Sequence, residues 1–170
     1  MELGDALIYE YGNHFWIIQR SPQSEIGSGP SENVALAARL PLVATAMQLG
    51  SATQQALENF GTIRPLFAPW EIKELRKLLC GWIGARSMND LLKNSRLVLV
   101  DQIFKDDELR VLPFDNHRIN PWETLLEDKA ITLPLHPQSE ALGAAILAAF
   151  DLSTYHPERK HALPAPRSHH

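Results

Sequence analysis

Two dense apolar runs open the chain, Ala6-Leu7-Ile8-Tyr9-Glu10-Tyr11 and Phe15-Trp16-Ile17-Ile18-Gln19, both rich in β-branched and aromatic residues. Gly12-Asn13-His14 between them supplies turn chemistry, so the chain is expected to begin with a β-hairpin. From Pro22 to Asn33 the residues are polar and include Gly27, Gly29 and Pro30, which reads as a loop. A second strand pair is expected at Leu97-Val98-Leu99-Val100 and Leu109-Arg110-Val111-Leu112, around a turn at Lys105-Asp106-Asp107. Helical spacing appears elsewhere. Pro69 suits the first turn of a helix that runs to about Cys80 and buries Ile72, Leu75 and Leu79. Ser87 can cap a short helix through Asp90, Leu91 and Leu92, with the acid favouring the helix start. Pro121 begins another irregular stretch.

One pattern recurs. Leu40-Pro41-Leu42, six residues, then Leu49-Gly50-x-Ala52-x-x-x-Ala56 returns 93 residues later as Leu133-Pro134-Leu135, six residues, then Leu142-Gly143-x-Ala145-x-x-x-Ala149. In the later copy Ala130-Ile131-Thr132-Leu133 alternates as a strand does. The earlier counterpart, Val34 to Leu42, is helix or strand by propensity, and the match assigns it to a strand as well. Each copy then enters a helix. Leu142, Ala145, Ile146, Ala149 and Phe150 make one stripe behind a cap at Ser139, and Leu49, Ala52, Ala56, Leu57 and Phe60 make the other. A glycine inside a helix costs about 1 kcal/mol relative to alanine. Its place after the leucine in both copies therefore points to close backbone packing against a sheet.

The element order is ββ, β-α, α-α, ββ, β-α. It predicts an α+β fold: a mostly antiparallel central sheet with helices packed against it, containing two similar strand-helix units. A chain of 170 residues fits one domain, expected over residues 1–153, with 154–170 as a flexible C-terminal tail.

Composition removes several classes. Cys80 is the only cysteine, so one chain can build neither a disulfide framework nor a cysteine zinc site, and the expected compartment is the reducing cytoplasm. The start has no basic region followed by an apolar run, and no stretch is long and apolar enough for a membrane span. Twenty acidic against sixteen basic residues give a formal charge of −4, which disfavours non-specific nucleic-acid binding.

Candidate chemistry is sparse. The seven histidines lack the short spacings that set two ligands on one helix face. No cofactor is implied by the residues, for Gly27-x-Gly29 has no following lysine and no serine sits in a nucleophile elbow. Cys80, beside Gly81 and Trp82, reads as a small buried hydrophobe. Tyr9, Tyr11, Phe15 and Trp16 lack the interleaved cations of a base-stacking face and read as core or rim. Arg76, Lys77, Arg86 and Lys93, preceded by Lys73, are the strongest cationic collection. Asp101, Asp106, Asp107 and Glu108 bracket the second hairpin, and Glu127 and Asp128 precede the last strand. These acids admit three readings: solvated turns, a patch facing a basic partner, or paired carboxylates for acid–base or magnesium chemistry.

The closing segment, Ala130-Ile131-Thr132-Leu133-Pro134-Leu135 into Glu140-Ala141-Leu142-Gly143-Ala144-Ala145-Ile146-Leu147-Ala148-Ala149-Phe150, resembles that of the contact-dependent growth inhibition (CDI) immunity proteins. The middle is also similar, with Arg86 to Asn94, then Leu97-Val98-Leu99-Val100 and a second strand ending at Pro113. The resemblance runs from about Leu7 to Phe150. It implies a small cytoplasmic, non-enzymatic protein that binds one cognate toxin C-terminal domain, often a nuclease delivered by a neighbouring bacterium. A basic nuclease would be met by the acidic set Asp101, Asp106, Asp107, Glu108, Glu127 and Asp128. No direct nucleic-acid or membrane partner is expected, and a monomer is favoured, although the sequence does not fix the oligomeric state. The alternatives from other classes are a small cytoplasmic hydrolase and a nucleic-acid-binding module.

Overall fold

The computed structural model describes residues 4–22, 31–64, 68–103, 107–115 and 124–153. The described residues form seven strands and four α-helices: β1 (Asp5–Tyr11), β2 (His14–Pro22), β3 (Ser31–Pro41), α1 (Ala46–Glu58), α2 (Pro69–Ile83), α3 (Met88–Asn94), β4 (Ser95–Ile103), β5 (Glu108–Asp115), β6 (Thr124–Leu125), β7 (Ile131–Pro134) and α4 (Ser139–Leu152). A 3-10 turn, Glu127–Lys129, separates β6 from β7. The expected α+β fold is therefore present, and β3 contains Val34 to Pro41 of the strand that the repeat assigns to Val34–Leu42. Three of its residues, Ser31 to Asn33, had read as loop; their pairing with Pro22 to Arg20 recruits them into the strand. The expected tail from residue 154 and the irregular stretch at Pro121 lie outside the described residues.

All pairings are antiparallel, in the order β3-β2-β1-β4-β5, with β6 and β7 both on the outer side of β5. The order contains a quasi-two-fold axis. At its centre Leu7 lies opposite Leu99, with Ala6 opposite Val100 and Ile8 opposite Val98. Further out, Phe15 faces Leu40 on one side as Leu109 faces Leu133 on the other. The unit β1-β2-β3-α1 is thus repeated as β4-β5-β7-α4, and the sequence repeat is the visible end of that larger duplication. β6 and β7 share the edge that β3 occupies alone.

Strand alternation divides the apolar residues between two layers. Ala6, Ile8, Phe15, Ile17, Val98, Val100, Leu109 and Val111 face α1 and α4. Leu7, Tyr9, Trp16, Ile18, Leu97 and Phe114 face the side covered by α2 and α3, through Leu79, Ile83 and Leu91. Burying a side chain of this size contributes about 1.5–3 kcal/mol, so these two layers dominate the stabilisation. The aromatic run is core as expected: Tyr9, Phe15 and Trp16 are buried, and Trp16 donates its indole N–H to the Tyr11 carbonyl.

The two glycines do not pack on the sheet. They pack on each other's helices. A Cβ at Gly50 would lie 1.7 Å from the Ser139 carbonyl oxygen, and one at Gly143 would lie 1.8 Å from that of Ala46. Ala46 and Ser139 are the first residues of α1 and α4, so each glycine lets the opposite helix begin against it. Ser139 consequently does not cap its helix. Its hydroxyl donates to Gln54 on α1, and Gln138 occupies the cap position without a side-chain bond. The earlier copy keeps a true cap, in which Thr45 and Gln48 bond reciprocally.

Candidate partner-binding site

Quasi-symmetry predicts two equivalent gaps, each where the C-terminal end of one long helix passes over the sheet. One is filled and the other is open. At the filled end Arg96 is buried and donates to the Phe150 carbonyl, while the Ser153 hydroxyl donates to the Leu97 carbonyl. Phe150 and Phe15 complete the plug with ring centroids 5.3 Å apart.

At the open end the groups equivalent to Arg96, Phe150 and Phe15 are smaller. Since Ala6 and Ile8 correspond to Val98 and Val100, the position equivalent to Arg96 is Gly4. Its bare Cα sits where any side chain would press on Gln102, the Leu57 carbonyl and Phe60. Leu57 and Leu109 stand where the filled end has Phe150 and Phe15. The result is a cleft of about 800 Å³, lined among others by Leu57, Glu58, Phe60, Gln102, Leu109 and His136. Its walls are held by polar links. Gly4 N–H donates to the Gln102 side chain, and Gln54 donates to the Pro137 carbonyl at 2.7 Å. Gln19 fixes the end of α1 by donating to the Asn59 carbonyl at 2.6 Å.

The acidic residues expected from sequence divide around this cleft. Asp107, exposed and in the left-handed region at φ 51°, accepts from Leu135 N–H through its carbonyl and so anchors the cleft's β7–α4 wall. The side-chain oxygen of an aspartate can bond locally, which makes that conformation tolerable. Glu108 follows immediately, before the cleft residue Leu109. Glu58, which sequence reasoning passed over, joins them from α1. Asp101 is on the neighbouring strand but is engaged by Arg110 at 2.8 Å. It continues a ladder across four strands, for Asp5 lies opposite it and pairs with Arg20 at 2.9 Å. Burial pushes the Asp5 carboxyl above its ordinary range, against the pull of Arg20. Glu127 and Asp128 are exposed at the far end of β7, beyond Ile131 and its partner Val111. Three residues of strand, roughly 10 Å, separate Val111 from Glu108. The turn group and the Glu127–Asp128 group are therefore two patches. Asp106 lies outside the described residues.

On the opposite face the chain builds a second polar centre around Asp90. Its carboxylate accepts from the Tyr11 hydroxyl and the Arg86 backbone N–H, both at 2.9 Å, and from the Asn94 amide at 2.7 Å. The Ser87 hydroxyl accepts from Asp90 N–H, as its expected capping role requires. The backbone donor at Arg86 is the main reason that the Asp90 carboxyl titrates below its usual range, while burial and this carboxylate push the Tyr11 phenol up. Cys80 is buried beside this centre, and burial raises its thiol. Such a thiol is protonated at neutral pH and packs as a hydrophobe. Among the described residues no three His, Cys, Asp or Glu groups gather in a way that could hold a metal ion. No described helix is long and apolar enough to cross a membrane.

Comparison with known proteins agrees with this architecture. The sequence model of the CDI immunity protein family (CdiI) matches residues 5–153. Among solved structures, the fold is similar to a protein of unknown function, NMB0488, from Neisseria meningitidis, at a TM-score of 0.72 and 19% identity. That match covers 89% of this chain and 96% of the other. It is also similar to a chain of the CdiA-CT/CdiI toxin and immunity complex from Yersinia pseudotuberculosis, at 0.69 and 13% identity, over 91% of this chain and 99% of that one. Among curated protein sequences nothing matches significantly.

Proposed function

Since the chain belongs to the CDI immunity protein family, we propose that it binds and neutralises the C-terminal toxin domain of one cognate CDI system. The family match over residues 5–153 carries this reading. We further propose that the toxin is a basic nuclease, met in the cytoplasm, and that one copy of this chain covers one toxin. The mechanism is occlusion rather than chemistry. A rigid surface of the right shape denies the toxin its substrate, and no proton need move.

The open cleft supplies that surface. It is concave, with leucines, Phe60 and Glu58 in its lining. Asp107 holds the lining residue Leu135, while alternation with Leu109 turns the Glu108 side chain to the opposite sheet face. A basic element of the toxin entering here would gain apolar contact inside and charge contact outside, and the acidic rim would steer its approach. Glu127 and Asp128 form a second, separate acidic patch, and Asp101 shares the opposite sheet face with Leu97 and Leu99. Asp101 contributes least, because Arg110 already neutralises it.

The test is a nuclease assay of the toxin domain encoded upstream, with and without this protein. Equimolar protein is expected to abolish cleavage and to co-purify with the toxin. Charge reversal at Glu58 and Asp107 should slow association about tenfold at low salt and much less at high salt, as screening predicts. Full toxin activity in the presence of excess protein would overturn the immunity reading. Inhibition of a toxin that cleaves neither DNA nor RNA would overturn only the nuclease part.

A further inference from the structure

The strongest cationic collection in the sequence is brought together in one groove, on the sheet face opposite the cleft. Gly84 ends α2 in the left-handed conformation at φ 78°. The chain can then turn back, so that Arg86 and Met88 close against α2. The groove encloses about 810 Å³. Lys73, Arg76, Lys77 and Arg86 line it above a floor that includes Ile72 and Cys80. Lys77 is paired with Glu74, whereas Lys73 and Arg76 have no ion-pair partner among the described residues. Next to the lining residue Pro69, Trp70 is 64% exposed, and Leu78 is 50% exposed on the outer side of α2. Tryptophan and arginine are enriched in interface hot spots, and core packing leaves the exposure of Trp70 unexplained.

We propose that this α2–α3 groove is a second protein-interaction site, which takes an acidic polypeptide segment carrying at least one apolar anchor. Charge complementarity selects the acid, since a quarter of the chain's 16 basic residues meet here in a protein of net charge −4. The apolar groups of the lining, Pro69, Ile72 and Met88, select a polypeptide over a nucleic acid. They pack side chains, whereas sequence-independent strand binding uses several stacked aromatics and a long cationic track. The site is independent of the toxin-facing cleft, because the sheet separates them.

The test uses the full chain and two short probe peptides of equal charge, one alternating Glu with Leu and one alternating Glu with Ser, beside single-stranded polythymidine. The Glu/Leu peptide is expected to bind about tenfold more tightly than the Glu/Ser peptide, and about tenfold less tightly to the Lys73→Glu, Arg76→Glu double variant. Glu58→Lys should leave its affinity unchanged. Backbone amide shifts in the unsubstituted protein should map to residues 69–88, which keeps the proposal testable even where a variant unfolds. Equal affinity for the two peptides, indifference to charge reversal, perturbations outside 69–88, or tighter binding of polythymidine would each overturn it.

Discussion

Replacing Gly50 by alanine sets two effects of known size against each other. Helix propensity favours alanine by about 1 kcal/mol. Against it, the new Cβ would meet the Ser139 carbonyl oxygen at 1.7 Å, where ordinary contact begins near 3.4 Å. That oxygen belongs to the first turn of α4 and cannot rotate away, so α1 and α4 must part by about 1.7 Å. A gap of even 1 Å forfeits roughly a quarter to a half of each dispersion contact across it. The contacts at stake join Leu49 and Ala56 to Leu142, Ala145 and Ile146, all buried. Overpacking of this severity costs about 3 kcal/mol or more, and propensity returns about 1, so a net loss of about 2 kcal/mol is expected. In a chain of this size that lowers Tm by about 4–8 °C. Urea unfolding of Gly50→Ala, Gly143→Ala and the double variant measures it. One separation relieves both clashes, so the double variant should lose less than the sum of the singles. Gly81 in α2 is the control, because a Cβ there meets nothing within 4 Å. Gly81→Ala should stabilise by about 0.5–1 kcal/mol. If Gly50→Ala stabilised the protein as Gly81→Ala does, the helix-on-helix contact would be wrong.

The Asp90 centre gives the fold opposite sensitivities at the two ends of the pH scale. The Asp90 carboxyl is lowered from 3.8 in the folded chain, so its contribution is complete above that value and is lost as pH falls through the folded pKa. Asp90→Asn should therefore flatten the acid limb of a stability–pH curve followed by urea midpoints. The Tyr11 phenol is raised from 10.0, so its contribution is complete below pH 10 and is lost as pH rises through the folded value. Tyr11→Phe should cost about 1 kcal/mol at neutral pH and remove the alkaline loss. Asp5 carries the reverse sign for an acid. Its carboxyl is raised from 3.8, so the stability it gives is complete below that value and declines as pH climbs through the folded pKa. Asp5→Asn should abolish that decline, and an unchanged curve would show that Arg20 fully compensates for burial.

Much of the architecture could be read from local pattern. The opening hairpin needs only two β-rich runs and a turn, and Gly12 at φ 61° supplies the turn. Leu40 to Ala56 and Leu133 to Ala149 declare the repeat because α1 and α4 make the same contacts, so both need leucine and glycine in the same places. The rest of the duplication stayed hidden. Strand pairing constrains which face a residue occupies and not its identity, so Phe15 and Leu109 can be equivalent without resembling each other. Cap chemistry misled at Ser139 for a related reason, since its hydroxyl has a better partner across the helix pair in Gln54.

By itself, then, the sequence determined the class of fold, the order of its elements, the two like units and the family, because periodicity and turn residues act over a few neighbours. Which surfaces are available was decided only by the tertiary structure. Gly4 and Arg96 look unrelated in the chain, yet one leaves open the gap that the other fills. Asp101 reads as a free acid until Arg110 is set beside it by the register. Lys73 and Arg86 become one groove only when Gly84 folds the chain back. Cavities and charge patches arise between elements remote in sequence, and their energies depend on distance and burial that no local pattern encodes.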